Sequence, residues 1–268
     1  MVQSLAGDAA SYRLFLGELV RYHIMTSFAK RVAVLALICV GVDAGWAGKL
    51  RAQASVSPRA AVVELFTSQA CSSCPPADAL LGELSQTPNV VALAFHVDYW
   101  DSIAWRDHFA EPNAVQRQRR YVEILGLSSA FTPQVVVDGR GSFAGADKRR
   151  ILGAITEPLN TIPISVEVVR GELTVTVPER QDRAGYDVNL AAYLPEAVTA
   201  VGRGENSGRT LREFNIVRQF RSLGIWHGQE SVFRAPLDSF PADATHVAVL
   251  LQRAQQGPIA GSATVALR

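Results

Sequence analysis

Residues 60–78 read AAVVELFTSQACSSCPPAD. The first eight are rich in β-branched and apolar side chains, as a buried strand requires. A short turn carries the chain to Cys71, and Pro75 and Pro76 open the next segment, where proline is tolerated in a helix's first turn. Ala77, Leu80, Leu81 and Leu84 then recur at i, i+3, i+4 and i+7, which gives one apolar helical face and predicts a helix ending near Gln86, before Pro88. The motif Cys71-Ser72-Ser73-Cys74-Pro75 therefore sits where a strand hands over to a helix. Residues 90–97 (VVALAFHV) are apolar on both faces, like a buried parallel strand, so the segment reads as one right-handed βαβ unit.

Working outward, a loop bearing Tyr99, Trp100 and Trp105 precedes a charged helical stretch at 111–125 that Gly126 terminates. Thr132-Pro133 leads into QVVVD (134–138), Asp138-Gly139 is a hairpin signal, 142–145 returns as a short edge strand, and Asp147 caps a last helix. The order over 55–160 is β-α-β-α-β-β-α: a parallel half joined to an antiparallel hairpin half, with helices on both faces. That is the minimal arrangement of an α/β thioredoxin-like domain. After Pro158 the pattern changes to alternating strands at 164–170, 173–177, 187–193, 214–220, 231–236, 246–252 and 258–267 without a convincing amphipathic helix. Residues 161–268 are accordingly expected to form an all-β sandwich-like domain.

Composition narrows the function. The formal net charge of +1 gives no case for nucleic-acid binding. The first 54 residues carry Arg13, Arg21, Lys30, Arg31, Lys49 and Arg51 against Asp8, Glu18 and Asp43, so the remainder is close to neutral. Within residues 1–54, Met25 begins a signal-peptide pattern. Lys30 and Arg31 form the positive region, 32–42 the apolar run, and Gly45-Trp46-Ala47 or Ala52-Gln53-Ala54 the small-residue cleavage site. The run is short for a bilayer, although a membrane anchor or core helix is the alternative. The expectation is export to the periplasm or beyond, with no stable membrane span in the mature chain. Of the three cysteines, Cys39 would leave with the signal. Cys71 and Cys74 alone cannot staple a fold or make a four-cysteine zinc site.

The thiolate is the reactive form of cysteine, and a helix N-terminus stabilises it through unpaired N–H groups and the helix dipole. Cys71 is expected at the outer end, solvent-facing and nucleophilic. Cys74, one turn on and shielded, would resolve the mixed disulfide. A structural disulfide and half of a metal site are the competing readings of the same pair.

The stretches VVELFTSQACSSCPPAD, AFHVDYWD, FTPQVVVDG and VGRGENSGRTLREFNIVR resemble the DUF1223 family. This resemblance implies an exported, thioredoxin-like protein of the bacterial envelope whose activity is not established. A more distant similarity to thioredoxins and periplasmic disulfide oxidoreductases maps the C-x-x-C-P motif onto Cys71, Cys74 and Pro75, and a cis-proline onto Pro133. A cis bond there, accessible to X-Pro at small energetic cost, would bring the backbone of Thr132 beside Cys71 for pairing with substrate; a trans proline at a strand start is the alternative. Those oxidoreductases also carry a buried acid six residues before the cysteine. Glu64 lies seven before Cys71 and is the candidate to move the proton of Cys74, unless it faces solvent or forms an ion pair. Ala70 stands where thioredoxin has tryptophan, and Ser72-Ser73 replaces Gly-Pro, so redox poise does not transfer.

The functional expectation is thus an exported thiol–disulfide oxidoreductase acting on protein or peptide thiols and disulfides, together with an unidentified redox partner. Cys71, Cys74, Pro133 and Glu64 are the catalytic candidates, and Thr132, Trp100 and Trp105 the substrate-binding ones; no cofactor is called for. The alternative is a binding protein for copper or zinc, through Cys71, Cys74 and His96, or for an envelope partner. The glycine-rich stretch 202–209 reads either as a solvated loop or as a segment folded over Cys71.

Overall fold

A computed structural model describes residues 60–268 apart from 146, 158, 160 and 183; the signal segment and Cys39 lie outside the described residues. At its centre is β1 (Ala61–Thr67), buried along its whole length. Strand β2 (Val90–His96) pairs with it in parallel, from Ala61↔Val90 to Thr67↔His96. Strand β3 (Gln134–Val137) pairs with its other edge antiparallel, and β4 (Gly141–Ala144) follows β3 through the Asp138-Gly139 hairpin. Side chains of a strand alternate between faces. Val63 and Leu65 accordingly join Ala77, Leu80, Leu81 and Leu84 of α1 (Pro75–Ser85) and Ile151 of α3 (Lys148–Ile155). Val62 and Phe66 join Ala114, Val115 and Tyr121 of α2 (Pro112–Ile124) on the opposite face.

The sheet does not stop there, and the expected pairing of an α/β thioredoxin-like domain with a separate sandwich is corrected. The described protein is mostly strand, with three α-helices and 17% helix. One mixed eight-stranded sheet runs β11-β10-β7-β8-β2-β1-β3-β4, so strands from before and after residue 160 share it. Its added members are β7 (Tyr186–Ala200), β8 (Thr210–Trp226), β10 (His246–Arg253) and β11 (Ile259–Ala266). A second sheet of β5 (Ser165–Val169), β6 (Glu172–Val177) and β9 (Ser231–Pro236) packs Val166, Leu173, Val175 and Val177 against Val188, Leu190, Val247, Val249 and Trp226 of the first. The physical reason is the free edge of β2. An uncovered edge leaves backbone N–H and C=O groups unpaired, and β8 lies along it, although alternation within a strand reveals its buried face and not its edge partner.

Strands β7 and β8 also run to about twice the length of the alternating segments 187–193 and 214–220, and their pairing slips at Val188/Asn189 and Ala192/Tyr193, where the period of two breaks. Strand pairing of β8 with β2 is confined to Ala94↔Ile216. Just before it, Asn215 takes a left-handed conformation (φ 46°) and its side-chain amide donates to the Ala92 carbonyl at 2.9 Å. The earlier half of β8 instead faces α1, where Gly82 lets the Phe214 ring approach: a Cβ on Gly82 would lie 2.5 Å from it. No helix among the described residues is long and apolar enough to cross a membrane.

A buried ion pair ties these layers together. Arg117 of α2 donates to both carboxylate oxygens of Glu64 on β1, at 2.8 and 2.7 Å, and to Gln252 Oε1 of β10 at 3.0 Å. The Tyr121 hydroxyl donates to Glu64 at 3.1 Å, and the guanidinium lies 4.4 Å from the centre of the Phe220 ring. Removing one partner of such a pair strands a buried charge. Arg117→Ala is expected to lower the unfolding free energy by about 3–5 kcal/mol, read from the urea midpoint at constant slope; a loss under about 1 kcal/mol would refute that role for the pair.

Candidate functional site

Cys71 and Cys74 are joined in a disulfide with Cα atoms 5.5 Å apart. Cys74 is the N-cap of α1 and Pro75 and Pro76 follow it, so the bond closes the turn that launches the helix. The Cys71 N–H donates to the Ser68 carbonyl at 3.1 Å, and the Cys74 N–H to the Cys71 carbonyl at 3.2 Å. The expectation of a solvent-facing Cys71 is overturned: Cys71 is 1% and Cys74 0% exposed. Only Ser72 and Ser73 between them are open to solvent.

The cover comes from the segment joining β7 to β8. Asn206, itself fully buried, donates its side-chain amide to the carbonyls of Gln69 (2.9 Å) and Cys71 (3.0 Å). The Ser72 N–H donates to the Glu205 carboxylate at 3.2 Å. Residues 202–209 thus form a strap over the disulfide turn, more than 130 positions away in sequence.

Beneath the turn lies a buried polar network centred on Gln69. Its N–H donates to Asp107 (2.8 Å), its amide nitrogen to Thr199 (3.1 Å) and Glu213 (3.0 Å), and its amide oxygen accepts from Trp105 Nε1 and the His108 N–H, both at 3.3 Å. His96 Nδ1 is 2.8 Å from Asp107, while its Nε2 makes no hydrogen bond among the described residues and lies 3.9 Å from Glu213. On α1, Asp78 accepts from the Thr67 hydroxyl at 2.8 Å. Burial pushes Asp78 up to about 7 and also raises Glu213. Burial lowers His96, but the charge of Asp107 and its hydrogen bond, with Glu213 and Asp78, outweigh that and leave it raised. Burial likewise opposes ionisation of Asp107, and His96 overcomes it to hold Asp107 below the usual carboxylate range.

The other sequence-derived candidates divide. The Thr132–Pro133 bond is cis. Pro133 lies against the first turn of α1, where a Cβ on Gly145 would meet both Pro133 Cβ (2.7 Å) and Ala77 Cβ (2.6 Å). Trp100, half-exposed, donates to the Thr132 hydroxyl at 2.7 Å, so Trp100, Thr132 and Pro133 form one group near α1. Trp105 belongs instead to the Gln69 network under the strap. Glu64 is not brought to the disulfide: it points toward α2, on the face of β1 opposite α1, and is held by Arg117. His96 is held by Asp107, and among the described residues no cluster of three or more histidine, cysteine or acidic side chains has an arrangement for a metal ion. Sequence reasoning missed Gln69, Asp78, Asp107 and Glu213, whereas Asn206 lies in the 202–209 stretch, one of whose two readings is a segment folded over Cys71. Of the four, Asp78 alone left a signal, an acid four residues after Cys74 on the side of the helix that reads as buried.

Fold and site together define a class: a two-sheet protein whose helix-capping Cys-x-x-Cys disulfide is strapped down over a buried acid–histidine network. The chain belongs to DUF1223, a family of proteins of unknown function, whose profile matches residues 62–252. No curated protein matches it. Among solved structures, it is similar to the Agrobacterium tumefaciens protein AGR_C_4864, with 29% identity, 79% of this chain and 96% of that one covered, and a TM-score of 0.69. It is also similar to HBP35 of Porphyromonas gingivalis at 14% identity, covering 78% and 76% with a TM-score of 0.53, a likeness of fold alone.

The raised Asp78 has a consequence for stability. The folded chain keeps its proton up to about pH 7, whereas the unfolded chain releases it near 3.8. Folding therefore weakens through this group as pH rises across that window. Asp78→Asn removes the effect, so the melting temperature of the variant minus that of the parent is expected to increase between pH 5 and pH 8. A constant difference would contradict it.

Proposed function

We propose that this protein is an exported thiol–disulfide exchange protein that uses the Cys71–Cys74 pair on protein or peptide thiols. The observation that carries this reading is the position of the disulfide at the N-terminal end of α1, where helix N–H groups favour a thiolate, with the cis Thr132–Pro133 bond close to Ala77 in the first turn of that helix and Trp100 bonded to Thr132. The signal-peptide pattern within residues 1–54 supports export to the periplasm or beyond, a compartment where such chemistry operates.

Exchange requires the sulfur of Cys71 to be reached, and the strap stands in the way. A partner thiolate attacks Cys71 Sγ once residues 202–209 lift, the S–S bond breaks, and Cys74 leaves as the thiolate. In the reverse direction Cys74 attacks the mixed disulfide at Cys71 and expels the partner's thiolate. Because Asn206 makes two of the hydrogen bonds that hold the strap, Asn206→Ala is expected to speed native-state reduction by dithiothreitol about tenfold, the equivalent of roughly 1.4 kcal/mol from lost buried hydrogen bonds. An unchanged rate would remove the strap from the mechanism.

The complete burial of both sulfurs favours a second reading, in which the disulfide only clamps the start of α1. Trapping separates the two. Under exchange, Cys74→Ala accumulates a mixed disulfide with an envelope protein or an added peptide disulfide, and Cys71→Ala does not. Under the clamp reading neither variant traps anything, and the native disulfide resists dithiothreitol until the chain unfolds.

A further inference from the structure

Resting on the exchange reading, we propose that Asp78 is the group that delivers a proton to Cys74 and takes it away, and that it exchanges that proton with solvent through the groove between α1 and β8.

Cys74 has no exposure of its own. A thiolate released there during reduction would be a buried, unpaired charge, which is strongly unfavourable. It needs a proton source inside the protein. Glu64 is turned away and paired. Asp78 follows Cys74 by four residues on α1, a spacing that stacks two side chains on one helical face, and its N–H donates to the Cys74 carbonyl at 3.1 Å. Asp78 is 8% exposed, and it lines a groove of about 750 Å³ together with Pro75, Ala79, Gly82, Arg212 and Phe214. It is therefore placed between a sealed sulfur and water. Its level of about 7 is close enough to that of an ordinary thiol, about 8.5, for a proton to pass either way without a large barrier.

The charged groups around Asp78 come from every neighbouring element. His96 of β2, Asp107 of the following loop and Glu213 of β8 act on it from beneath. Along the groove, Glu83 is paired with Lys148, and Glu196 with Arg212. The step balances with a dithiol as reductant. One of its thiolates bonds to Cys71 Sγ, and the S–S electron pair leaves on Cys74. Cys74 takes the proton of the Asp78 carboxyl, and the carboxylate is reprotonated by water in the groove. The second thiolate of the reductant then displaces Cys71, leaving two protein cysteines and a cyclic disulfide.

The test uses the full chain and dithiothreitol, with newly formed thiols read by maleimide labelling from pH 5.5 to 9. The ratio of the parent rate to that of Asp78→Asn cancels the ionisation of the reductant. The ratio is expected to be about ten or more at pH 6, where Asp78 carries a proton, as general-acid assistance typically gives at least this much. It should fall to about one above pH 8. A ratio that does not vary with pH marks a merely structural aspartate and overturns the inference while leaving the exchange reading standing. A parent disulfide inert to dithiothreitol in the native state overturns both. Should the variant fail to fold, the parent decides the matter. Proton sharing couples the titrations of Asp78 and Cys74, so the buried carboxyl C=O stretch in the infrared is expected to titrate at different pH in the oxidised and reduced protein, and identical titrations overturn the inference.

Discussion

A carboxylate in the middle of the central strand is the constraint that orders this molecule. Glu64 lies among Val62, Val63, Leu65 and Phe66 with no access to water, and a charge so placed must be matched by a partner in good geometry. Arg117 meets it with a two-pronged hydrogen bond. To do so, α2 has to lie across that face of the sheet at one depth and rotation. The same guanidinium reaches Gln252, so β10 is brought into register with β1 and α2 by the one interaction. The two halves of the chain meet at the Arg117–Gln252 hydrogen bond as well as along the edge of β2.

The disulfide turn is governed by a second set of long-range polar contacts, organised by an uncharged residue. Gln69 has a donor and an acceptor on its side chain and both on its backbone, and each is used. It gathers the loop after β2 through Asp107, Trp105 and His108, the ends of β7 and β8 through Thr199 and Glu213, and the strap through Asn206. A buried network in which most groups are satisfied is rigid. That rigidity explains how the same turn can hold its sulfurs out of solvent and still carry a histidine and three acids close by. Glu64, the acid expected to serve the cysteines, is instead held by Arg117 on the other face of β1, and the acid on the helix that the disulfide caps is Asp78.

Much of the secondary structure was legible locally. The period of 3.6 in Ala77, Leu80, Leu81 and Leu84, the double-sided apolarity of 90–97, the Asp138-Gly139 turn and the Asp147 cap each came from contacts within a few residues, and each element stands within a few residues of its expected place. The arrangement of those elements was less legible. Order along the chain suggested a four-stranded α/β domain followed by a separate sandwich, whereas the strands merge into one eight-stranded sheet. Period-two alternation states which face of a strand is buried and is silent about which edge will be covered.

The amino-acid sequence by itself determined the paired cysteines at a strand-to-helix junction and the proline at the entry to β3, because short-range spacing and backbone chemistry decide these. Tertiary structure alone decided that the sulfurs are sealed, that Asn206 and Glu205 make the bonds that hold the strap over them, and that Glu64 is turned away from them toward Arg117. These depend on which face of β1 receives α1 and on where a hairpin more than 130 residues away comes to rest. Both are settled by packing across the whole sheet, where the energy of burying one surface depends on every other surface that competes for it.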